Sequence, residues 1–239
     1  MNILVTGVSR GVGIEICKLL LENGNTVFGV ARTFSNDFKE LQHDYPDRLF
    51  FKSMDLSDPE KVNKEIFKDF VGKKPLHAFV NNAAMAYDDI ITNLQISKLE
   101  EMYKVNVFTP MILTKYAIRN MLLYKTKGSI IHISSISAHT GYKGLAMYAS
   151  SKGALEAFSK NTAREYGSIG IRSNVVVPGF METAMSATLT YEQKDRIYNR
   201  TSLKSATNIK SVAETVAFLI SEKASSITGQ NIHVDNGTI

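Results

Sequence analysis

The chain contains no tryptophan, five prolines and a single cysteine in 239 residues. A lone cysteine excludes an internal disulfide, and Cys17 falls within an apolar helical pattern with Leu20 and Leu21, so it reads as inert core. No Pro/Gly/Ser-rich stretch or charge block interrupts the sequence, and 44% hydrophobic residues can bury one large core, which predicts a single domain over 1–239. An apolar stretch of roughly 18 residues is absent, and the first apolar run, Ile3 to Val5, breaks at once into a Gly-rich turn instead of extending as a signal. A soluble, cytoplasmic protein without a membrane partner is expected. Dense basic clusters interleaved with aromatics are also missing, since 28 Lys and Arg against 23 Asp and Glu are spread along the predicted helices. That argues against nucleic acid and leaves the net charge of +5 as a solvated surface or, next, as an attraction for anionic substrates and cofactors.

What is present begins with a strand, a Gly-rich turn and a helix. Met1 to Thr6 is β-branched and aliphatic, Thr6-Gly7-Val8-Ser9-Arg10-Gly11-Val12-Gly13 is the turn, and Ile14, Ile16, Leu19 and Leu20 mark an amphipathic helix. Glycines there allow a ligand phosphate to approach the backbone N–H groups at a helix N-terminus; an ordinary turn and cap is the alternative. Asn23-Gly24 ends the helix and Thr26 to Val30 forms a second strand. The acidic residue that would hold a ribose 2′-hydroxyl is missing after it. Ala31-Arg32-Thr33 stands there instead, so Arg32 and Arg10 are placed to meet a 2′-phosphate, which favours NADP(H) over NAD.

Further strands are expected over 48–53, 76–80, 171–177 and 228–235, with helices over 97–124, 148–168 and 209–220. Strands alternating with helices imply an α/β fold of Rossmann type, a doubly wound, seven-stranded parallel sheet with helices on both faces. Asp55-Leu56 follows the third strand, where a carboxylate can accept from an adenine amino group or start a helix before Pro59. Asn81-Asn82-Ala83-Ala84 ends the fourth strand with small residues that leave room for a ligand. Asn106 lies inside an apolar helical pattern and needs partners if buried. Pro178-Gly179 stops the sixth strand, and Met181, Met185, Thr188, Thr190 and Tyr191 belong to a segment of about 181–205 suited to a lid, with Thr183 among them.

The chemistry is placed in Ser134 to Lys152. Tyr148 and Lys152 are four apart on a helix, so the ammonium sits beside the phenol and favours its ionised form, which makes the phenol a proton donor and acceptor. Ser134 and Ser135 end the apolar run Ile130, Ile131, Ile133, thirteen residues before Tyr148, from where a loop can return a hydroxyl to the phenol.

Taken together, Thr6-Gly7-x-x-x-Gly11-x-Gly13, Asp55, Asn81-Asn82-Ala83-Ala84, Asn106, Ser135 with Tyr148-x-x-x-Lys152, and Pro178-Gly179 with Thr183 closely resemble the short-chain dehydrogenase/reductase family over essentially the whole chain. The resemblance implies that Tyr148 is the acid/base and that Ser135 holds the substrate carbonyl oxygen. It implies that Lys152 lowers the phenol pKa and binds the nicotinamide ribose, and that Asn106 anchors a water of a proton relay. It also places Gly7, Ser9, Arg10, Gly11, Val12, Gly13, Arg32, Asp55, Leu56, Asn82, Ala83, Pro178, Gly179, Met181 and Thr183 around the cofactor. Within the family the chain is similar to the 3-oxoacyl-acyl-carrier-protein reductases, which implies a β-ketoacyl thioester, carried by an acyl carrier protein, as substrate. Sugars, polyols or cyclic ketones are the alternative. The positions where those reductases carry docking arginines hold Thr126 and Ile169, with Lys127 and Arg172 close by as substitutes, and Ser202-Leu203-Lys204-Ser205 also departs from their pattern. The resemblance further implies a homotetramer built on the helices of 97–124 and 148–168.

Overall fold

A computed structural model describes residues 1–183 and 189–239. Met185 and Thr188, assigned above to the lid, lie outside the described residues. Seven short apolar runs form β1 (Asn2–Thr6), β2 (Thr26–Ala31), β3 (Leu49–Ser53), β4 (Ala78–Asn81), β5 (Ser129–Ile133), β6 (Arg172–Pro178) and β7 (Asn231–Val234). All pair in parallel in the order β3-β2-β1-β4-β5-β6-β7. The chain winds outward from β1 to β3 and returns to lay β4 on the other side of β1, so the crevice of the sheet opens at the ends of β1 and β4.

Both faces of the sheet are covered, because the pleat sends alternate side chains to opposite sides. Ile3 and Val5 of β1 join α1 (Val12–Glu22), α2 (Asn36–Asp44) and α7 (Ile209–Ile220) in one apolar cluster, through Ile16, Leu20, Phe38, Val212 and Val216. Leu4, between them, joins the opposite cluster with a helix over Asn63–Val71 and with α4 (Thr109–Tyr124), through Ile66, Leu113 and Met121. α3 (Ile96–Tyr103) precedes α4, while α5 (Ala146–Tyr166) follows β5, and α6 (Tyr191–Tyr198) lies between β6 and α7. Cys17 is fully buried in the first cluster, and burial pushes its thiol pKa up, which keeps it a thiol.

The expected helix over 97–124 is not uniform. Lys104–Phe108, between α3 and α4, forms a wide turn with i→i+5 pairing, and Asn106 lies in it. An apolar period of 3.6 residues carries no mark of such a turn.

The substitute docking residues are also corrected. Arg172 donates to the carbonyls of Leu219 (2.7 Å), Ile220 (3.2 Å) and Ser221 (3.2 Å), so its guanidinium caps the C-terminus of α7 and does not face a partner. Thr126 donates to Leu76 O (2.8 Å) at the start of β4, and the Lys127 stem lies against Gly170. Among the described residues no helix is long and apolar enough to cross a membrane.

Candidate active site

The Gly-rich turn is built around close approaches that only glycine permits. Gly7 has φ +73°, and a Cβ on it would lie 2.8 Å from Ala83 Cα. At Gly13 a Cβ would lie 2.0 Å from Gly7 O, so this glycine packs α1 onto the turn and does not line the cleft. Asn82 is likewise structural: its amide donates to Thr6 O (3.1 Å) and Gly7 O (3.0 Å), while Thr6 Oγ1 accepts from the backbone N–H groups of Asn82 and Ala83. These bonds fasten the turn across the crevice between β1 and β4. Gly11 then caps α1 without a side-chain hydrogen bond, leaving the first N–H groups of an 11-residue helix for an anion.

A cleft of about 1020 Å³ runs from this turn along the ends of the strands. Arg10 and Arg32 line its outer end and, among the described residues, neither guanidinium has a carboxylate partner. Asp55 lines the same end, with one carboxylate oxygen accepting from Ser57 N (2.9 Å). The remaining predicted contacts, Gly7, Ser9, Gly11, Val12, Leu56, Asn82, Ala83, Pro178, Gly179, Met181 and Thr183, also line the cleft. An uncapped helix end, two guanidiniums without a carboxylate partner and a cleft of this volume fit an anionic dinucleotide. Among the described residues no group of three or more His, Cys, Asp or Glu is placed to hold a metal.

At the inner end stand Ser135, Tyr148 and Lys152. Tyr148 and Lys152 occupy the first turns of α5, and Lys152 Nζ lies 5.6 Å from the Tyr148 ring centroid. The ammonium donates to Ile133 O (2.8 Å) at the end of β5, and burial lowers its pKa to about 8. The expectation that Lys152 brings the phenol toward neutrality is therefore not met. Burial first, and then the Asp88 carboxylate, push Tyr148 up to about 12, with only the Ser135 hydroxyl pulling it down. The lysine is turned to the strand carbonyl, and Tyr148 is a protonated acid throughout the neutral range.

Three neighbours escaped the sequence reading. Ser137, in the short turn Ile136–Ala138 that Ser135 caps, donates to Ser135 Oγ from both its backbone N–H (3.2 Å) and its hydroxyl (3.0 Å). Both acceptor sites of Ser135 are thereby filled and its own proton is aimed outward. Asp88 brings negative charge to the phenol from the loop after Asn81-Asn82-Ala83-Ala84. Ser151 accepts from Asn106 Nδ2 (3.0 Å), which also donates to Met85 O (2.8 Å), while Asn106 Oδ1 accepts from Met85 N (2.8 Å). Asn106 thus does not line the cleft; its whole amide ties the wide turn to α5 and to the loop bearing Asp88. Only the serine-rich composition of 134–137 hinted at Ser137, and nothing local marked Asp88.

The comparisons with known proteins agree with this geometry. Residues 7–238 match a family model described as enoyl-(acyl carrier protein) reductase. A solved structure described as a short chain dehydrogenase/reductase family protein superposes with TM-score 0.87 at 27% identity, over 99% of this chain and 96% of that one. The chain belongs to the short-chain dehydrogenase/reductase family. Other short-chain dehydrogenase/reductase relatives include the 3-oxoacyl-[acyl-carrier-protein] reductases FabG of Salmonella typhimurium, 35% identical over 238 residues, and of Vibrio cholerae, 33% identical over 238 residues. Each comparison covers 98% of this chain and 95% of the relative. A 4-hydroxyisoleucine dehydrogenase complexed with NADH superposes with TM-score 0.92 at 25% identity, over 99% of this chain and 98% of that one.

Proposed function

We propose that the chain reduces a ketone to a secondary alcohol with NADP(H), and that its substrate is a 3-oxoacyl thioester. The observation that carries the reaction type is the pairing of two hydroxyl donors, Ser135 oriented by Ser137 and Tyr148 held protonated, at one end of a cleft whose other end suits a dinucleotide phosphate. A ketone oxygen, on which the negative charge of hydride addition develops, can accept from both hydroxyls, and the FabG relatives favour ketone reduction over the enoyl reduction in the family model's description. The bound nicotinamide supplies a hydride. Ser135 holds the oxygen and Tyr148 Oη gives it a proton as negative charge develops, while Lys152, its ammonium on Ile133 O (2.8 Å) beside the phenol ring, is the neighbouring group whose proton is lost near neutrality. Asn106 serves by fixing the wide turn of 104–108 against α5 and the loop that bears Asp88.

NADP(H) is supported by Arg10 and Arg32 and by the absence of an acid after β2, although the 4-hydroxyisoleucine dehydrogenase carries NADH. Replacing Arg32 by alanine removes a charge-assisted contact of about 1.5–3 kcal/mol, so KM for NADPH should rise roughly ten- to a hundredfold while KM for NADH stays unchanged. Equal changes for the two cofactors would show that Arg32 does not meet the 2′-phosphate.

The thioester rests on the FabG relatives and on two exposed cations of the cleft wall, Lys143 and Arg200, which have no carboxylate partner among the described residues. They suit the phosphate of a pantetheine arm. The lid assigned to 181–205 is represented there by Met181, Leu189 and Ile197. Because Thr126 and Arg172 are engaged internally, carrier-linked and CoA-linked acetoacetate should be reduced at similar kcat/KM, within about tenfold, which is about 1.4 kcal/mol. NADPH oxidation with both thioesters, beside sugars and cyclic ketones, decides this. Reduction of only a ketone without a thioester would leave the reaction type and remove the substrate. Exposed Phe108, Leu122 and Leu123 near and along α4 support the homotetramer as the assembly, and the lack of a membrane-spanning helix among the described residues is compatible with the cytoplasm as the compartment.

A further inference from the structure

Glu156 lies one turn beyond Lys152 on α5 and is 11% exposed at its side chain. Its carboxylate gathers donors from three separate elements. Ser134, at the end of β5, donates its hydroxyl to Oε1 (2.5 Å); His139 Nε2 reaches the carboxylate at 3.0 Å; and Asn231 of β7 donates to Oε2 (2.7 Å). Ser134 and His139 are the two residues that bracket the turn capped by Ser135. A single carboxylate therefore grips both ends of the segment that presents the Ser135 hydroxyl. The His139 ring is packed in turn against His233 of β7, with centroids 4.7 Å apart.

We propose that Glu156 is a positioning residue for the reaction, clamping the 134–139 loop so that Ser135 stays in register with Tyr148, about two turns back along the same helix. The inference rests on the reading of Ser135 as the donor to the substrate oxygen. Glycine is absent between Ser134 and Thr140, so the loop is held by its bonds and not by a special backbone shape. Its other ties are Ser134 N to Val176 O (2.9 Å) and bonds within the turn itself, from Ser137 to Ser135 Oγ, from Ala138 N to Ser135 O (3.0 Å) and from His139 and Thr140 to Ile136 O, and none of these bonds reaches α5. A glutamine at 156 keeps the shape but replaces one acceptor by a donor, which must face either Asn231 or the Ser134 and His139 pair.

The test uses Glu156→Gln, Ser134→Ala and the double variant in the full chain. With a ketone that the wild type reduces, Glu156→Gln should lower kcat about tenfold while the Kd for NADPH stays within about twofold, a split that a general loss of stability would not give. Ser134→Ala should lower kcat in the same direction, and the double variant should be no worse than Glu156→Gln, because both act through one contact. Hydrogen exchange should quicken in peptides covering 134–140 and stay unchanged in β1 and α1. Unchanged kcat in both single variants, multiplying effects in the double, or unaltered exchange over 134–140 would overturn the proposal. Should Glu156→Gln not accumulate as folded protein, Ser134→Ala alone decides through the same readouts. If the wild type reduces no ketone at all, the reductase reading fails by itself, and the exchange measurement still passes or rejects the clamp.

Discussion

Tyr148→Phe should lower kcat by about a thousandfold or more, at the upper end of what a positioned acid contributes, while NADPH binds as before. The change removes one oxygen and its proton and leaves the ring, whose packing beside Lys152 does not need the hydroxyl. In the wild type the phenol is raised to about 12, so it is fully protonated below pH 10 and the rate of reduction should not fall through the neutral range for want of Tyr148's proton. Lys152, lowered to about 8, is the group that titrates near neutrality, and loss of its proton is expected to slow turnover as pH rises through that value. A stopped-flow pH profile with saturating cofactor checks both statements. Substantial turnover by Tyr148→Phe would mean that another group supplies the proton.

Gly13→Ala is expected to have the largest effect on the folded state. The added methyl would sit 2.0 Å from Gly7 O and 2.7 Å from the Asn82 amide nitrogen, and neither can withdraw, because that amide fastens the turn to Thr6 and Gly7. Overpacking against backbone lies at or beyond the upper end of the usual 1–3 kcal/mol, so a loss of about 3 kcal/mol or more is expected. For a chain of this size that lowers Tm by roughly 6–12 °C. Gly11→Ala is the control. Among the described residues a Cβ there meets only Thr183 Cγ2 at 4.0 Å, and the backbone of φ +58° and ψ −133°, a region open to glycine, adds a strain of about 1–3 kcal/mol, so the fold should survive with a smaller fall in Tm. Urea titrations of the two variants should rank them in that order; equal midpoints would contradict the close approach at Gly13.

Much of this was legible in the sequence where a local rule applied. Tyr148 and Lys152 are brought together by helical spacing, and α7 has the predicted bounds because its apolar stripe is strong. α2 buries only Phe38 in nine mostly polar residues, so its apolar stripe is thin, and the stretch Asn63–Val71, although Ile66, Phe67, Phe70 and Val71 share one helical face, gives no sign of its wider turn. The partners of the site were the least readable. Ser137 acts through a turn, Asp88 through a loop that crosses from β4, and Arg172 was taken for a docking residue because its target carbonyls lie nearly fifty residues away. The direction of the Tyr148 shift was misread for the same reason, since the spacing shows which side chains are neighbours but not where the ammonium points.

The packing of α1 on α7 bears on how the protein is made. Val12, Ile16 and Leu20 bury their stripe against Val212, Val216 and Leu219, which are synthesised near the end of the chain. A ribosome adding about 5–20 residues per second needs on the order of ten seconds or more to bring them out. Until then the first βαβ unit, glycine turn included, has one apolar face without a cover, and it depends on chaperones or on the ribosome surface for protection. A premature stop after β6 would retain Arg10, Arg32, Ser135, Tyr148 and Lys152 and yet leave α1 without the helix that covers its apolar face.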